Sequence, residues 1–260
     1  MLSQLTPSFN TALGSAYLGE SLELLKIVPS NSKNLIISSP PFALYSKEIY
    51  GSRYVTWMLK YAEEFERILL PTGSLVLELG STWFRDIPER SVHNYQLISK
   101  LCSQESWHLI QEFYWYNPNL LTTPNDWTER EYIRFNDSIS IIWWLSRTTH
   151  PQVNTSHISQ YRNSLTGKLS NLLLFDDVAE DAAYLSRCYK AGLEPQSNRF
   201  PSTFPDFFIR LLTKPNDTVL DPFAGSCTTG KVAESLGRKW ICIEGKESSL
   251  NSGILRFDLV

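Results

Sequence analysis

Two short segments combine residue types that can do chemistry. Asp221-Pro-Phe-Ala-Gly-Ser-Cys-Thr-Thr-Gly230 follows a short apolar strand over 218–221 and leads into a helix over 229–236. The next strand, 239–244, ends in Glu244, about 23 residues after Asp221. Strand, small-residue turn, helix, strand and terminal acid is an arrangement for binding nucleosides: small residues let backbone approach the ligand, and the acid takes two ribose hydroxyls. No P-loop lysine pattern and no complete G-x-G-x-x-G occurs, so neither a triphosphate nor NAD is favoured. The second segment is Leu35-Ile-Ile-Ser-Ser-Pro-Pro-Phe-Ala-Leu44. Its prolines lack N–H groups and have a fixed φ, so they end a strand and stiffen the corner that follows.

The elements around these segments alternate. Short strands are expected over 15–19 and 74–78, and an apolar strand of the parallel-sheet type over 34–38. Residues 54–70 form the clearest helix, with Val55, Met58, Leu59, Ala62, Phe65, Ile68 and Leu69 on one stripe, and Pro71-Thr-Gly73 ends it. Helices over 20–27 and 92–103, strands over 109–115 and 138–145, and an amphipathic helix over 205–212 complete the pattern. Strands alternating with helices imply an α/β domain with a mostly parallel sheet. From 150 to 193 the pattern is lost, and this stretch reads as an insert or loop region rather than core.

The bulk numbers fit an ordinary globular chain. It has 260 residues, 42% hydrophobic and 20% charged, with net charge −3. That balance lacks the basic footprint of many nucleic-acid binders, although a local patch is enough. Cys102, Cys188, Cys227 and Cys242 form no C-x-x-C pair, which argues against zinc and for a reducing, cytoplasmic setting. The N-terminus lacks signal-peptide character, and no apolar run approaches membrane-spanning length. His93, His108, His150 and His157 show no catalytic arrangement.

Taken together, Asp-Pro-Phe-x-Gly-Ser-x-Thr-Thr-Gly and Ser-Pro-Pro-Phe resemble the amino-methyltransferases of DNA. The resemblance is to the permuted, beta-type class, whose catalytic motif precedes the cofactor motif, and within it to the bacterial cytosine-N4 enzymes of restriction–modification systems. It also covers Ala16-Tyr-Leu-Gly-Glu-Ser-Leu-Glu-Leu-Leu25, Phe113-Tyr-Trp-Tyr-Asn-Pro118, Ile142-Trp-Trp144 and Arg199-Phe-Pro-Ser-Thr-Phe-Pro-Asp-Phe-Phe208. The implied fold is a Rossmann-like S-adenosylmethionine-dependent methyltransferase. One catalytic and cofactor-binding domain spans 1–149 and 196–260, and 150–195 is an irregular insert within the target-recognition region. The 218–221 and 34–38 strands are expected side by side where strand order reverses, the usual ligand crevice of an open α/β sheet.

The resemblance implies roles for individual residues. Ser39, Pro40, Pro41 and Phe42 would receive a cytosine flipped out of double-stranded DNA. The exocyclic amine is a poor nucleophile, so it needs acceptors such as Ser39 Oγ and the Pro40 carbonyl, with Phe42 as a stacking face. Where the amine proton goes is left open. S-adenosyl-L-methionine would lie near Glu20, Arg199, Phe200, Pro201, Asp221, Phe223, Gly225, Ser226, Thr228, Thr229 and Glu244. Cys227 stands where many relatives have glycine, which puts close backbone approach there in question. Arg130, Arg134, Arg162 and Lys168 are candidate DNA contacts from the stretch 117–190. No metal is required. A cognate restriction endonuclease is the implied genetic partner, and the family includes monomers and dimers. The alternatives are adenine-N6 methylation, a methyltransferase of RNA or small molecules, and a cofactor-binding relative without activity.

Overall fold

The computed structural model describes residues 5–41, 52–80, 83–84, 88–103, 105–122, 126–163, 166–175 and 178–257. Phe42 lies outside them. β1 (Phe9–Asn10) and β2 (Gly14–Leu18) lead into α1 (Ser21–Lys26) and β3 (Lys33–Ser38). Next come α2 (Ser52–Ile68), β4 (Leu69–Leu79), α3 (His93–Cys102) and β5 (His108–Tyr116). α4 (Asp126–Glu129), β6 (Ile139–Ser146), β7 (Leu172–Leu173) and α5 (Val178–Ala191) follow. α6 (Thr203–Leu212), β8 (Thr218–Asp221), α7 (Thr228–Ser235), β9 (Lys239–Glu244) and α8 (Glu247–Gly253) complete the order.

Among the described residues the strands form one sheet in the order β1-β2-β9-β8-β3-β4-β6-β5-β7. The centre, from β2 through β9, β8 and β3 to β4, is parallel. β6 runs antiparallel between β4 and β5. β3 and β8 are neighbours, with Leu35 opposite Val219 and Ile36 opposite Leu220. They meet where the chain order along the sheet reverses, as expected. Their apolar runs are buried on both faces, because helices cover each side.

One face packs on α1, α2 and α3 through Tyr54, Val55, Met58, Phe65 and Leu97. The other packs on α6 and α7 through Phe204, Phe207, Phe208 and Val232, against Phe113, Trp144 and Trp240 of the sheet. The result is three layers with the sheet in the middle. No helix among the described residues is long and apolar enough to cross a membrane.

Two expectations are corrected here. Pro71-Thr-Gly73 does not end α2; the helix stops at Ile68 and β4 begins at once. The β3–β4 register passes from Lys33 opposite Leu69 to Leu35 opposite Ser74, so the extra β4 residues bulge outward, with 71 and 72 exposed. The stretch 150–193 is not without structure. It holds β7 and the 14-residue α5, and buries Ile158, Leu173, Tyr184 and Cys188. Tyr184 donates to Ser252 Oγ at 2.9 Å and accepts from the Gln196 N–H at 3.1 Å, which ties α5 to the C-terminal part of the chain.

Candidate active site

β3 ends in two serines that serve its two neighbouring strands. Ser38 Oγ donates to Asp221 Oδ1 of β8 at 2.5 Å. Ser39 Oγ donates to Glu78 Oε2 of β4 at 2.6 Å. Pro40 is buried and Pro41 exposed just beyond, so the rigid corner opens from the sheet edge. Glu78 is buried at the carboxyl end of β4. Burial raises its pKa, and hydrogen bonds from the Ser39 and Ser140 hydroxyls offset part of that rise. Sequence reasoning left Glu78 unassigned; its pairing with Ser39 depends on strand adjacency, which the sequence does not print. His93 lies buried against the Tyr54 ring with Nδ1 2.8 Å from Ser91 Oγ.

The nucleoside-type turn follows β8. Asp221 is wholly buried and takes hydrogen bonds from Ser38, from Thr229 Oγ1 at 2.6 Å and from the Phe223 N–H at 3.1 Å. Burial pushes its carboxyl up to about 6. Ser226 Oγ accepts from Arg256 at 3.0 Å. Thr228 is buried as well. The side chains of Asp221, Ser226, Thr228 and Thr229 are thus enclosed, and Asp221, Ser226 and Thr229 are bonded internally. These bonds fix the turn that the resemblance places near the cofactor.

Gly225 adopts φ +51, a left-handed conformation that glycine takes without strain. Cys227 adopts φ 57 as well. Its side chain is wholly buried beside Cys242, whose thiol is pushed well up by burial and then by Cys227. The Cys227 side chain therefore points inward, toward Cys242. Gly230 is needed for packing, since a Cβ there would lie 2.9 Å from Cys242 Sγ and from the Trp240 ring.

Glu244 ends β9 beside this turn. Its Oε2 accepts from the Gly225 N–H at 2.8 Å and its Oε1 from the Lys246 N–H at 2.9 Å. Each carboxylate oxygen retains acceptor capacity for a ligand hydroxyl. Phe223 forms a wall with two α2 rings, Tyr61 at 5.0 Å and Trp57 at 5.6 Å between centroids. Tyr61 also donates to Glu20 Oε1 at 2.8 Å, while Glu20 Oε2 accepts from the Glu23 N–H at 2.8 Å and caps α1. Burial pushes the Glu20 carboxyl up, but these bonds outweigh it and hold the group below its ordinary range. Carboxylates at two corners, glycine backbone and an aromatic wall between them suit a nucleoside. Trp57 and Tyr61 were missed in the sequence; their i, i+4 spacing on the longest helix was the available signal.

Arg199 is clamped. Its guanidinium forms a bidentate pair with Asp181 of α5 at 2.5 and 2.6 Å and donates to the Gln196 carbonyl at 2.7 Å. That pairing lowers the Asp181 pKa and raises that of Arg199. Phe200 packs on Phe204 at 4.7 Å, and Pro201 is half-exposed.

The four candidate DNA contacts fall into two groups. Arg130 is exposed and pairs with Asp126 at 3.4 Å. Arg134 lies 3.7 Å above the Trp83 ring. Both precede β6, whose first residues run beside the end of β4, with Leu79 opposite Ile141. They therefore belong to the edge that carries Ser39 and Glu78. Arg162 and Lys168 sit on a separate exposed turn, where Arg162 donates to the Gly167 carbonyl at 2.9 Å.

A family model described as DNA methylase matches residues 33–254. The chain is 33% identical to the Type II methyltransferase M.PvuII of Proteus hauseri, over 96% of this chain and 85% of that one. It is 27% identical to the Type II methyltransferase M.BamHI of Bacillus amyloliquefaciens, over 94% of this chain and 57% of that one. Among solved structures it is similar to the PvuII DNA methyltransferase (cytosine-N4-specific), with TM-score 0.89 and 36% identity, covering 98% of this chain and 90% of that one.

Proposed function

The chain belongs to the N6/N4 DNA methylase family, and we propose that it is the site-specific enzyme that methylates N4 of cytosine in double-stranded DNA. The observation that carries this reading is the Ser39–Glu78 hydrogen bond on strands adjoining the nucleoside-type crevice. S-adenosyl-L-methionine supplies an electrophilic methyl group on a sulfonium. Glu244 is suited to its ribose hydroxyls, Phe223 with Trp57 and Tyr61 to its adenine, and the backbone at Gly225 to its methionine end.

The cytosine amine has its lone pair delocalised into the ring. Ser39 Oγ and the Pro40 carbonyl accept its hydrogens and draw the nitrogen toward tetrahedral geometry. The new N–CH3 bond forms as the S–CH3 bond breaks and its electron pair goes to sulfur. The nitrogen then carries positive charge and must lose one proton. Glu78 gives that proton a destination: Ser39 accepts from the amine and passes its own proton to the carboxylate. A buried carboxylate with raised proton affinity is suited to this step.

The target sequence is read by groups at the DNA-facing edge and in the 150–195 region. The proposed genetic partner is a restriction endonuclease of matching specificity, and the cytoplasm is where DNA of that kind is met. A monomer that modifies the two strands of a palindrome in turn meets the need.

The test uses unmethylated genomic DNA and isotope-labelled S-adenosylmethionine, with the product digested to nucleosides and identified by mass spectrometry. Label in N4-methylcytosine is expected. Label in N6-methyladenine would move the target to adenine on the same fold. Ser39→Ala should lower turnover about 100-fold or more while cofactor affinity stays within about 2-fold.

A further inference from the structure

Methylation inside a duplex requires the target base to leave the stack, a loss of stacking that a side chain filling the gap offsets. The loop between α4 and β6 is built for that task. Phe135 is 93% exposed, Tyr132 79% and Ile133 59%, three large apolar side chains within four residues. Tyr132 also holds φ 52, a left-handed conformation that a bulky residue adopts only under strain. A globular protein gains nothing from exposing such a cluster unless something covers it.

The loop's stem is fixed while its tip is presented. Arg134 stacks on Trp83 at 3.7 Å, and Trp83 Nε1 donates to Asp137 Oδ2 at 2.7 Å. Arg90 pairs with the same carboxylate. The Asn136 amide donates to the Leu121 carbonyl at 3.0 Å, and the Asn117 N–H to the Ser138 carbonyl at 2.8 Å. β6 starts directly after, beside the end of β4 that carries Glu78. The exposed rings therefore rise from the edge where the flipped base must enter.

We propose that Tyr132, Ile133 and Phe135 form an apolar wedge that enters the base stack when the target cytosine is extruded, with Phe135 at its tip. This rests on the DNA-methylation reading. Stacking, not charge, is its means of contact, because Arg130 is outnumbered by Asp126, Glu129 and Glu131, which leaves the neighbourhood of the tip acidic and gives it no attraction to phosphate. Base faces are the surface such a tip suits, and the reaction itself creates the gap at that position.

The experiment measures the single-turnover methylation rate on a duplex carrying the site mapped by sequencing. A matched duplex has an abasic site opposite the target cytosine, so extrusion there costs little. Phe135→Ala and Tyr132→Ala are compared with wild type. Both side chains are exposed, and an unchanged melting temperature with unchanged cofactor affinity checks the fold. We expect Phe135→Ala to slow the paired duplex by about 10–100-fold and the abasic duplex by less than about 3-fold. Equal losses on both duplexes, or no loss on either, would overturn the wedge. So would a variant that changes the sedimentation state while leaving the paired-to-abasic ratio as in wild type, since the patch would then be a self-association face. Wild-type activity on the abasic duplex keeps the methylation reading separate from the fate of the wedge.

Discussion

At the scale of single residues, the site turns on Glu78 and Ser39, which are 39 positions apart in the chain and 2.6 Å apart in the fold. Glu78 must be ionised to accept the amine proton. Burial holds its pKa above the ordinary glutamate range, so turnover should fall as pH drops through that raised value. Glu78→Gln should abolish this acid limb and slow single-turnover transfer by about 10²–10⁴-fold. An acid limb that survives in Glu78→Gln would assign the titration to another group. Tyr61 is the matching test on the cofactor side. Tyr61→Phe removes the hydroxyl that holds Glu20, and cofactor binding measured by calorimetry should weaken about 3–10-fold, with turnover at saturation little changed. Ser39 was legible in the sequence because its chemistry is local, a hydroxyl in front of two prolines. Glu78 was visible only as an acid at a strand end. Its meaning depends on which strands adjoin, and the burial of Cys227 beside Cys242 likewise joins two segments that no local pattern links.

At the scale of elements, Asp221 joins three of them, since it binds Ser38 of β3, Thr229 of α7 and the turn after β8. Its folded pKa of about 6 lies above the value near 3.9 expected in the unfolded chain. The folded state therefore holds the proton over a pH range in which the unfolded state has lost it. Stability from this group is present below about pH 4 and declines as pH rises to about 6, on the order of 3 kcal/mol in all. Denaturant melts across that range should show the decline in wild type relative to Asp221→Asn; parallel curves would mean that Asp221 does not carry it. Elements with strong periodicity or continuous apolar runs were legible, α2 and β3 above all. α5 was not, because its apolar face is thin, with Tyr184 and Cys188 buried among polar neighbours. β1 and β7 are two residues each, too short for any alternation to register.

At the scale of the whole molecule, the net charge of −3 means that DNA is held by local groups and not by an overall field. The arginines near the catalytic edge are largely occupied, Arg130 with Asp126 and Arg134 with Trp83. Arg162 and Lys168 are exposed and belong to a different segment, the one proposed to help read the target. Phosphate contacts position a protein without conveying sequence, whereas base contacts select among sites. If Arg162 and Lys168 each neutralise one phosphate, the double variant Arg162→Ala/Lys168→Ala should flatten the plot of log binding constant against log salt by about 1.8. Affinity should fall by a similar factor on cognate and non-cognate duplexes. A slope equal to wild type would remove this turn from the DNA interface. A loss confined to the cognate duplex would instead make it a reader of bases and place sequence selection in the segment before α5.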